Sequence, residues 1–257
     1  MRCIIRPSTL RPSSERDIEM SFWTEQATAY SAMPHDSLAN ALHPAIVKMV
    51  SALAPSTLLD YGSGDGRLLS RLPSVPDRRA FDTSPTMREL AKNRLGKGVE
   101  HFYTSRLELP DGFFDVVICS LILVTLDSRI GVQNMFEDLF RVLRPGGHAI
   151  LASTHPCFRA HIFSEFYTEF SADRPFNYFD EGKAFDVTIR DRRSNRTVTF
   201  PDYHWSLATT IESMLQSGLM PVELNEVRDD ELSPTSNPNV PPFLLIRASK
   251  GLTPKEV

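Results

Sequence analysis

Hydrophobic positions along this chain recur with two alternating periods, and the order of those periods sets the fold class. Leu42, Ile46, Met49, Val50 and Leu53 return at three- and four-residue steps, which predicts a helix over 37–53 that Pro55 ends. Leu58-Leu59 follows at once and reads as a short strand covered on both faces. The pattern then repeats. Arg79 to Asp82 predicts a second strand, and Ser84-Pro85 a helix N-cap with proline at the first helical position, leading Met87, Leu90, Ala91, Arg94 and Leu95 into a helix. Val99 to Tyr103 and Phe114 to Ser120 predict two more strands, Val132 to Leu143 a helix with Met135, Phe136, Leu139 and Phe140 on one face, and His148 to Ser153 a fifth strand. Near the end, Asp202 to Leu207 introduces a helix that runs to Ser217 and stops at Gly218, and 222–227 and 243–248 supply two last strands. Strands alternating with helices predict an α/β fold, a Rossmann-like, mostly parallel sheet with helices on both faces. In front of it, Ser21 to Tyr30 predicts a short helix with Trp23, Ala27 and Tyr30 on one side.

Between Thr154 and Asp202 the alternation is lost. Phe158, Phe163, Phe166, Tyr167, Phe170, Phe176, Tyr178, Phe179 and Phe185 fall there, nine of the 24 aromatic rings in the chain. Such a segment must bury its rings against something. It leaves the carboxyl end of the sheet, where open α/β folds bind ligands, so it is expected to form an acceptor pocket. Within it, 185–191 and 197–200 predict a hairpin around Arg192-Arg193-Ser194-Asn195. The organisation expected is a disordered tail or leader over 1–20, where Arg2, Arg6, Arg11 and Arg16 stand among serines and prolines, and one domain over 21–257 with the insertion at about 155–203. Pro234, Pro238, Pro241 and Pro242 predict a mobile or partly disordered loop before the last strand.

Composition narrows the function classes. With 257 residues, 41% of them hydrophobic, the chain can bury a full core. A net charge of −4 supplies no basic surplus to displace counterions, which argues against a sequence-independent grip on nucleic acid. Cys3, Cys119 and Cys157 are too few for a disulfide framework or a thiolate metal site, so no metal is called for and a reducing, cytoplasmic setting is expected. No apolar run approaches the roughly 18 residues of a membrane span.

The candidate chemistry lies in Asp60-Tyr61-Gly62-Ser63-Gly64-Asp65-Gly66, directly after the first strand. Three alternating glycines let the backbone bend sharply and approach a ligand with no side chain between, and a helix starting at Gly66 would aim its free N–H groups there. A dinucleotide site wants G-x-G-x-x-G, whose third glycine would fall at Arg67; here it comes one residue early. A carboxylate on the strand suits a ligand with an ammonium and a sulfonium better than one with a pyrophosphate. Asp82, 20 residues after Gly62, stands about where a nucleotide-binding fold places the carboxylate that takes ribose hydroxyls.

The D-x-G-x-G-x-G stretch resembles motif I of the class I methyltransferases that bind S-adenosylmethionine. Three further stretches are similar to that family in order: "FDTSPTMRELAKNR" from Phe81, the "L-P … F-D-V-V" of Leu109 to Val117, and "L-x-P-G-G-x-x-x-L" from Leu143 to Leu151. The resemblance, to the methyltransferase-11 type, covers about Trp23 to Ala248 and implies a seven-stranded sheet with one antiparallel strand near the edge. It implies S-adenosylmethionine as cofactor, with Tyr30 in a lid, Asp60, Gly62 and Gly64 at the amino-acid end, and Asp82 and Thr83 at the ribose. Met87, Ser105 and Arg106 would surround the adenine, and Ser120 and Leu121 the methionine chain. Ser105 departs from the family, which commonly has an aspartate there. His155 and His204 sit where the family puts acceptor-facing residues and are the candidate bases, with a structural hydrogen-bonding role as the alternative for each. The function expected is methyl transfer to a small, apolar or aromatic metabolite. Two alternatives stand beside it: an RNA methyltransferase using Arg190, Arg192, Arg193 and Arg196, and a cofactor-binding protein of this fold that transfers no methyl.

Overall fold

The computed structural model describes residues 23–99, 101–161, 163, 166–170, 175–191, 193–228 and 240–251. The tail expected over 1–20, the start of the first helix at 21–22, Arg192 and most of the proline loop lie outside the described residues.

Seven strands form one sheet in the order β3-β2-β1-β4-β5-β10-β9. They are β1 (Thr57–Tyr61), β2 (Asp77–Phe81), β3 (His101–Tyr103), β4 (Phe114–Ser120), β5 (Leu143–Thr154), β9 (Leu219–Val227) and β10 (Phe243–Lys250). β1 lies parallel between β2 and β4, and β10 runs antiparallel between β5 and β9. This is the expected seven-stranded Rossmann-like sheet with its single reversed strand one place in from the edge. Strand order reverses between β1 and β4, which opens a crevice outside their carboxyl ends.

Period-two alternation divides the strand side chains between two cores. Leu58, Val116, Ile118 and Ile150 pack with Leu42, Ile46, Met49 and Val50 from α2 (His43–Leu53) and the turn of π-helix before it (Leu38–Leu42). Leu59, Val117, Cys119 and Leu151 pack on the other face with Val132, Met135, Phe136 and Leu139 of α4 (Arg129–Val142) and Met214 of α5 (Leu207–Gln216). α3 (Pro85–Leu95) starts as the sequence predicts: Ser84 accepts from Met87 N and Pro85 follows it.

Three departures have physical causes. No α-helix follows the glycine loop; the chain makes turns and one 3₁₀ turn, Leu69–Arg71, because Pro73 and Pro76 leave too few residues for a longer helix. The ligand end of the sheet therefore faces loop amides, with no helix terminus behind them. Second, β5 begins five residues early, at Leu143, with a register shift against β4 between Phe114 and Val116. Third, Asp202 belongs to a strand. Ser206 is the true cap of α5, accepting from Thr209 N at 3.0 Å.

The insertion makes its own antiparallel sheet, β6 (Phe166–Glu169), β7 (Ala184–Arg190) and β8 (Thr197–Tyr203). Phe185, Val187, Val198 and Phe200 on its inner face bury against Met33, Trp23 and Tyr30, the segment around α1 (Ala27–Ser31). Two distant stretches thus share one small core above the main sheet.

Asp115 ties the lower end of the sheet together. Its Oδ2 accepts from Ser56 N at 2.7 Å and Thr57 N at 2.9 Å, and its carboxylate pairs with Arg144. Burial alone would raise its pKa, but Arg144 and the two amides outweigh that and hold it below the usual carboxylate value. Asp115→Ala should lower stability by about 1.5–3 kcal/mol in denaturant unfolding, the range for hydrogen bonds to a charged group. The wild-type advantage should be fully present above the unfolded carboxylate value and fade as pH falls through the lowered folded one.

Candidate active site

A cavity of about 540 Å³ occupies the crevice at the β1/β4 reversal. It is within the range of small-molecule sites. The structure brings together there every cofactor-binding residue expected from the sequence except Ser105: Tyr30, Asp60, Gly62, Gly64, Asp82, Thr83, Met87, Arg106, Ser120 and Leu121 all line it. The Ser105 side chain instead caps its own 3₁₀ turn, accepting from Leu107 N at 3.2 Å.

The loop after β1 folds back on β2. Gly62 N and Ser63 N both donate to Phe81 O, at 2.8 and 2.9 Å. Gly62 has φ +80, and a Cβ there would meet the Ile122 side chain at 2.1 Å. At Gly64, φ is +52 and a Cβ would meet nothing within 4 Å, so the space beside that backbone belongs to the cavity. Gly64 N donates to Asp82 Oδ2 at 2.8 Å and Ser84 N to Asp82 Oδ1 at 2.8 Å, which fixes the second carboxylate against the loop. Across the crevice, Leu121 takes φ +61, a strained conformation for a branched side chain of the kind that persists at functional sites.

Asp60 is 2% exposed, and its Oδ2 has no partner among the described residues. Burial, and then the negative charge of Asp82, push its pKa up to about 7. Asp65 is also buried but has the opposite surroundings. Ser31 Oγ donates to it at 2.6 Å, and Arg67 and Arg94 pair with it at 3.0 and 2.9 Å. Burial raises its pKa, yet Ser31 and the two arginines bring the net shift below the ordinary value. Arg67 also donates to Ser31 O and to Pro34 O, and Ser84 Oγ to Trp23 O at 3.1 Å. These bonds hold the α1 segment down over the loop as a lid.

Sequence reasoning missed four residues here: His35, His43, Asp65 and Asp202. His35 takes φ +51 and places Nε2 2.8 Å from Tyr30 O. A carbonyl only accepts, so Nε2 carries the proton. Burial pushes His35 and His43 down to about 4, so both imidazoles are neutral near pH 7. Asp202 is 3% exposed, with Oδ1 unpartnered among the described residues.

Neither candidate base lines the cavity. His155 Nδ1 accepts from Cys157 N at 3.3 Å, which leaves Nε2 to donate to Glu226 at 3.1 Å on the far side of β10. His204 places Nε2 2.8 Å from Tyr178 O and packs edge-on to Phe176 and Tyr178. Of the nine insertion rings, Phe166 alone reaches the cavity; Phe163 stacks on it, and Phe170 packs against Phe176 and Phe185. The insertion's contribution to the cavity wall is Phe166 with Val187, Ile189, Phe200 and Asp202. At the hairpin tip, Arg196 pairs with Asp191 at 3.6 Å and donates to Ser194, so it serves the turn.

Residues 59–151 match the family described as Methyltransferase domain. No curated protein matches the chain. Among solved structures, an S-adenosylmethionine-dependent methyltransferase from Mesorhizobium loti is 21% identical with a TM-score of 0.57, over 80% of this chain and 96% of its own. The CcbJ methyltransferase from Streptomyces caelestis is 17% identical with a TM-score of 0.64, over 91% and 99%. A 1,6-didemethyltoxoflavin-N1-methyltransferase from Burkholderia thailandensis, with 1,6-didemethyltoxoflavin and S-adenosylhomocysteine bound, is 15% identical with a TM-score of 0.59, over 96% and 93%. At these identities the likeness is one of fold.

The two loop glycines should respond differently to alanine. Gly62→Ala meets both a positive φ and Ile122, and should cost about 3 kcal/mol or more. Gly64→Ala meets only the positive φ, and should cost about 1–2 kcal/mol. Urea unfolding of the two variants side by side measures the difference.

Proposed function

We propose, from the premise that this chain is a class I S-adenosylmethionine-dependent methyltransferase by its matched domain and fold, that it methylates a small, apolar or aromatic acceptor. The observation that carries the reading is the pairing of an orphaned buried carboxylate oxygen, on Asp60, with open space beside Gly64 in the same cavity. A buried carboxylate without a partner is costly, and a ligand ammonium removes that cost. The residues present fit the cofactor. Asp60 and the Gly62–Gly64 backbone would hold its amino-acid end and Asp82 its ribose hydroxyls, since an ionised carboxylate can accept about four hydrogen bonds and two are used. Met87, 3% exposed, offers an apolar surface to the adenine, and Arg106 is kept in place by Asp138 and Asn134.

S-adenosylmethionine supplies an electrophilic methyl on a sulfonium, a good leaving group, so the protein has to bind, orient and exclude water. The lid held by Asp65 and the apolar wall of Phe166, Val187, Ile189 and Phe200 serve those ends. That wall supports an acceptor with a largely apolar body. The Burkholderia protein, which holds a small molecule and S-adenosylhomocysteine together, is a precedent for joint occupancy in this fold. His155 and His204 are wall supports in this reading, since each ring is engaged away from the cavity.

Titration calorimetry with S-adenosylhomocysteine tests the cofactor half. Wild type should bind in the micromolar range, and Asp60→Ala and Gly64→Val should each weaken binding about 10- to 100-fold. Affinity should rise between pH 6 and 8, because Asp60 holds its proton below about 7 and must lose it to meet the ammonium. Wild-type affinity in folded Gly64→Val protein would remove the basis for the assignment.

A further inference from the structure

We infer that Asp202 faces the acceptor, and that the acceptor accordingly presents one O–H or N–H donor, on an otherwise apolar body, to Asp202 Oδ1. The inference rests on the methyl-transfer reading and deepens it.

The position of Asp202 in β8 is the first argument. Exposure alternates along this strand, with Thr197, Thr199 and Pro201 outward and Val198, Phe200 and Asp202 inward. Its partner across the register is Phe185, and the next inward pair is Val187 with Phe200. Its strand neighbours on that face, Phe185, Val187, Val198 and Phe200, are apolar, and both Phe200 and Asp202 line the cavity. A carboxylate thus occupies a site where the strand's own pattern demands a hydrophobic side chain.

The second argument is that no described residue hydrogen-bonds its buried Oδ1. The charged and titratable groups that act on Asp202 from other elements, among the described residues, are Arg159, in the turn after β5, and Tyr30 of α1; Tyr203 and His204 follow it in the chain. Arg159 is itself buried, but its guanidinium donates to Thr154 and lies 5.3 Å from the Phe185 ring, and no ion pair joins it to Asp202. Its charge offsets part of the cost of burying the carboxylate without a hydrogen bond to Oδ1. Burial raises the carboxyl to about 7, with Arg159 opposing, so a large ionised fraction is present near neutral pH.

A donor on the acceptor completes this site. In transfer, a lone pair of the acceptor heteroatom forms the bond to the methyl carbon as the S–CH₃ bond breaks and its electron pair stays on sulfur. The heteroatom's proton passes to the Asp202 carboxylate and then to solvent. The carboxylate is placed to act as general base, with a pKa near the working pH.

The test uses 2-naphthol and 2-methoxynaphthalene, which differ in the donor hydrogen, titrated by fluorescence into the full-length protein with and without saturating S-adenosylhomocysteine. Wild type should prefer 2-naphthol by about tenfold, with the preference growing as pH rises through 7, and Asp202→Asn and Asp202→Ala should bring the two probes within about twofold. Asp202→Asn keeps the side-chain volume but takes the opposing charge from the buried Arg159, so a thermal melt of each variant accompanies the binding data, and the wild-type preference with its pH dependence decides the role of Asp202 without either variant. Carbon-13 spectra of aspartate-labelled protein give a second readout: one carboxyl, absent from Asp202→Asn, should titrate near 7 and shift on adding 2-naphthol. Equal binding of the two probes by wild type, a preference that survives both substitutions, or no binding of either probe overturns the inference. Failure of S-adenosylhomocysteine to bind overturns the cofactor assignment instead, and the probe preference read without it still decides the role of Asp202.

Discussion

The open end of the sheet is governed by the burial of a carboxylate where two parallel strands part. Asp60 sits on β1, hydrogen-bonded through its backbone between β2 and β4, so its side chain cannot be moved to water without breaking the centre of the sheet. The chain must turn directly after it. That turn closes on Phe81 O only because Gly62 has no Cβ, and Ile122 fills the space a side chain would need. Leu121, beside Ile122, bears the strain of the same close approach in its left-handed backbone. Loop, second carboxylate and opposite wall are consequences of one placement.

Three buried carboxylates line this cavity, and their partners sort them. Asp65 has a hydroxyl and two guanidinium groups, is held ionised, and fastens the lid. Asp60 and Asp202 have no such partners and are each pushed to about 7. The first is used by the fold; the other two each keep an oxygen with no partner among the described residues. A titratable group left in that state is a stronger pointer to a ligand than one engaged in an ion pair.

Much of the architecture was legible because each core strand is a short apolar run between clear boundary signals, as at Ser84-Pro85 and the Phe114–Ser120 strand. The glycine spacing and Asp82 likewise located one wall of the cavity. Local pattern failed where two local rules competed. Asp202 and Ser206 are both good helix caps, and the choice of the first hid the alternation of Val198, Phe200 and Asp202 that marks a strand. Gly66 suggested a helix that Pro73 forbids. His35, His43 and Asp65 were not legible at all, since their place depends on the α1 segment folding over a loop some 30 residues away. Spacing placed Ser105 beside Arg106 but could not say that its hydroxyl turns back on its own chain.

Among the described residues, the cluster joining the α1 segment to the insertion sheet has five buried side chains, Met33, Phe185, Val187, Val198 and Phe200, against far larger clusters on the two faces of the main sheet. Cooperative units with few buried contacts open at a lower free energy than the global one. The roof of the cavity can therefore part while the seven strands stay folded, and its amides should exchange with solvent well before those of β1 and β4. Opening of that roof is then a local unfolding of this small core, and substitutions that tighten it would slow exchange between the cavity and solvent while leaving the main sheet untouched.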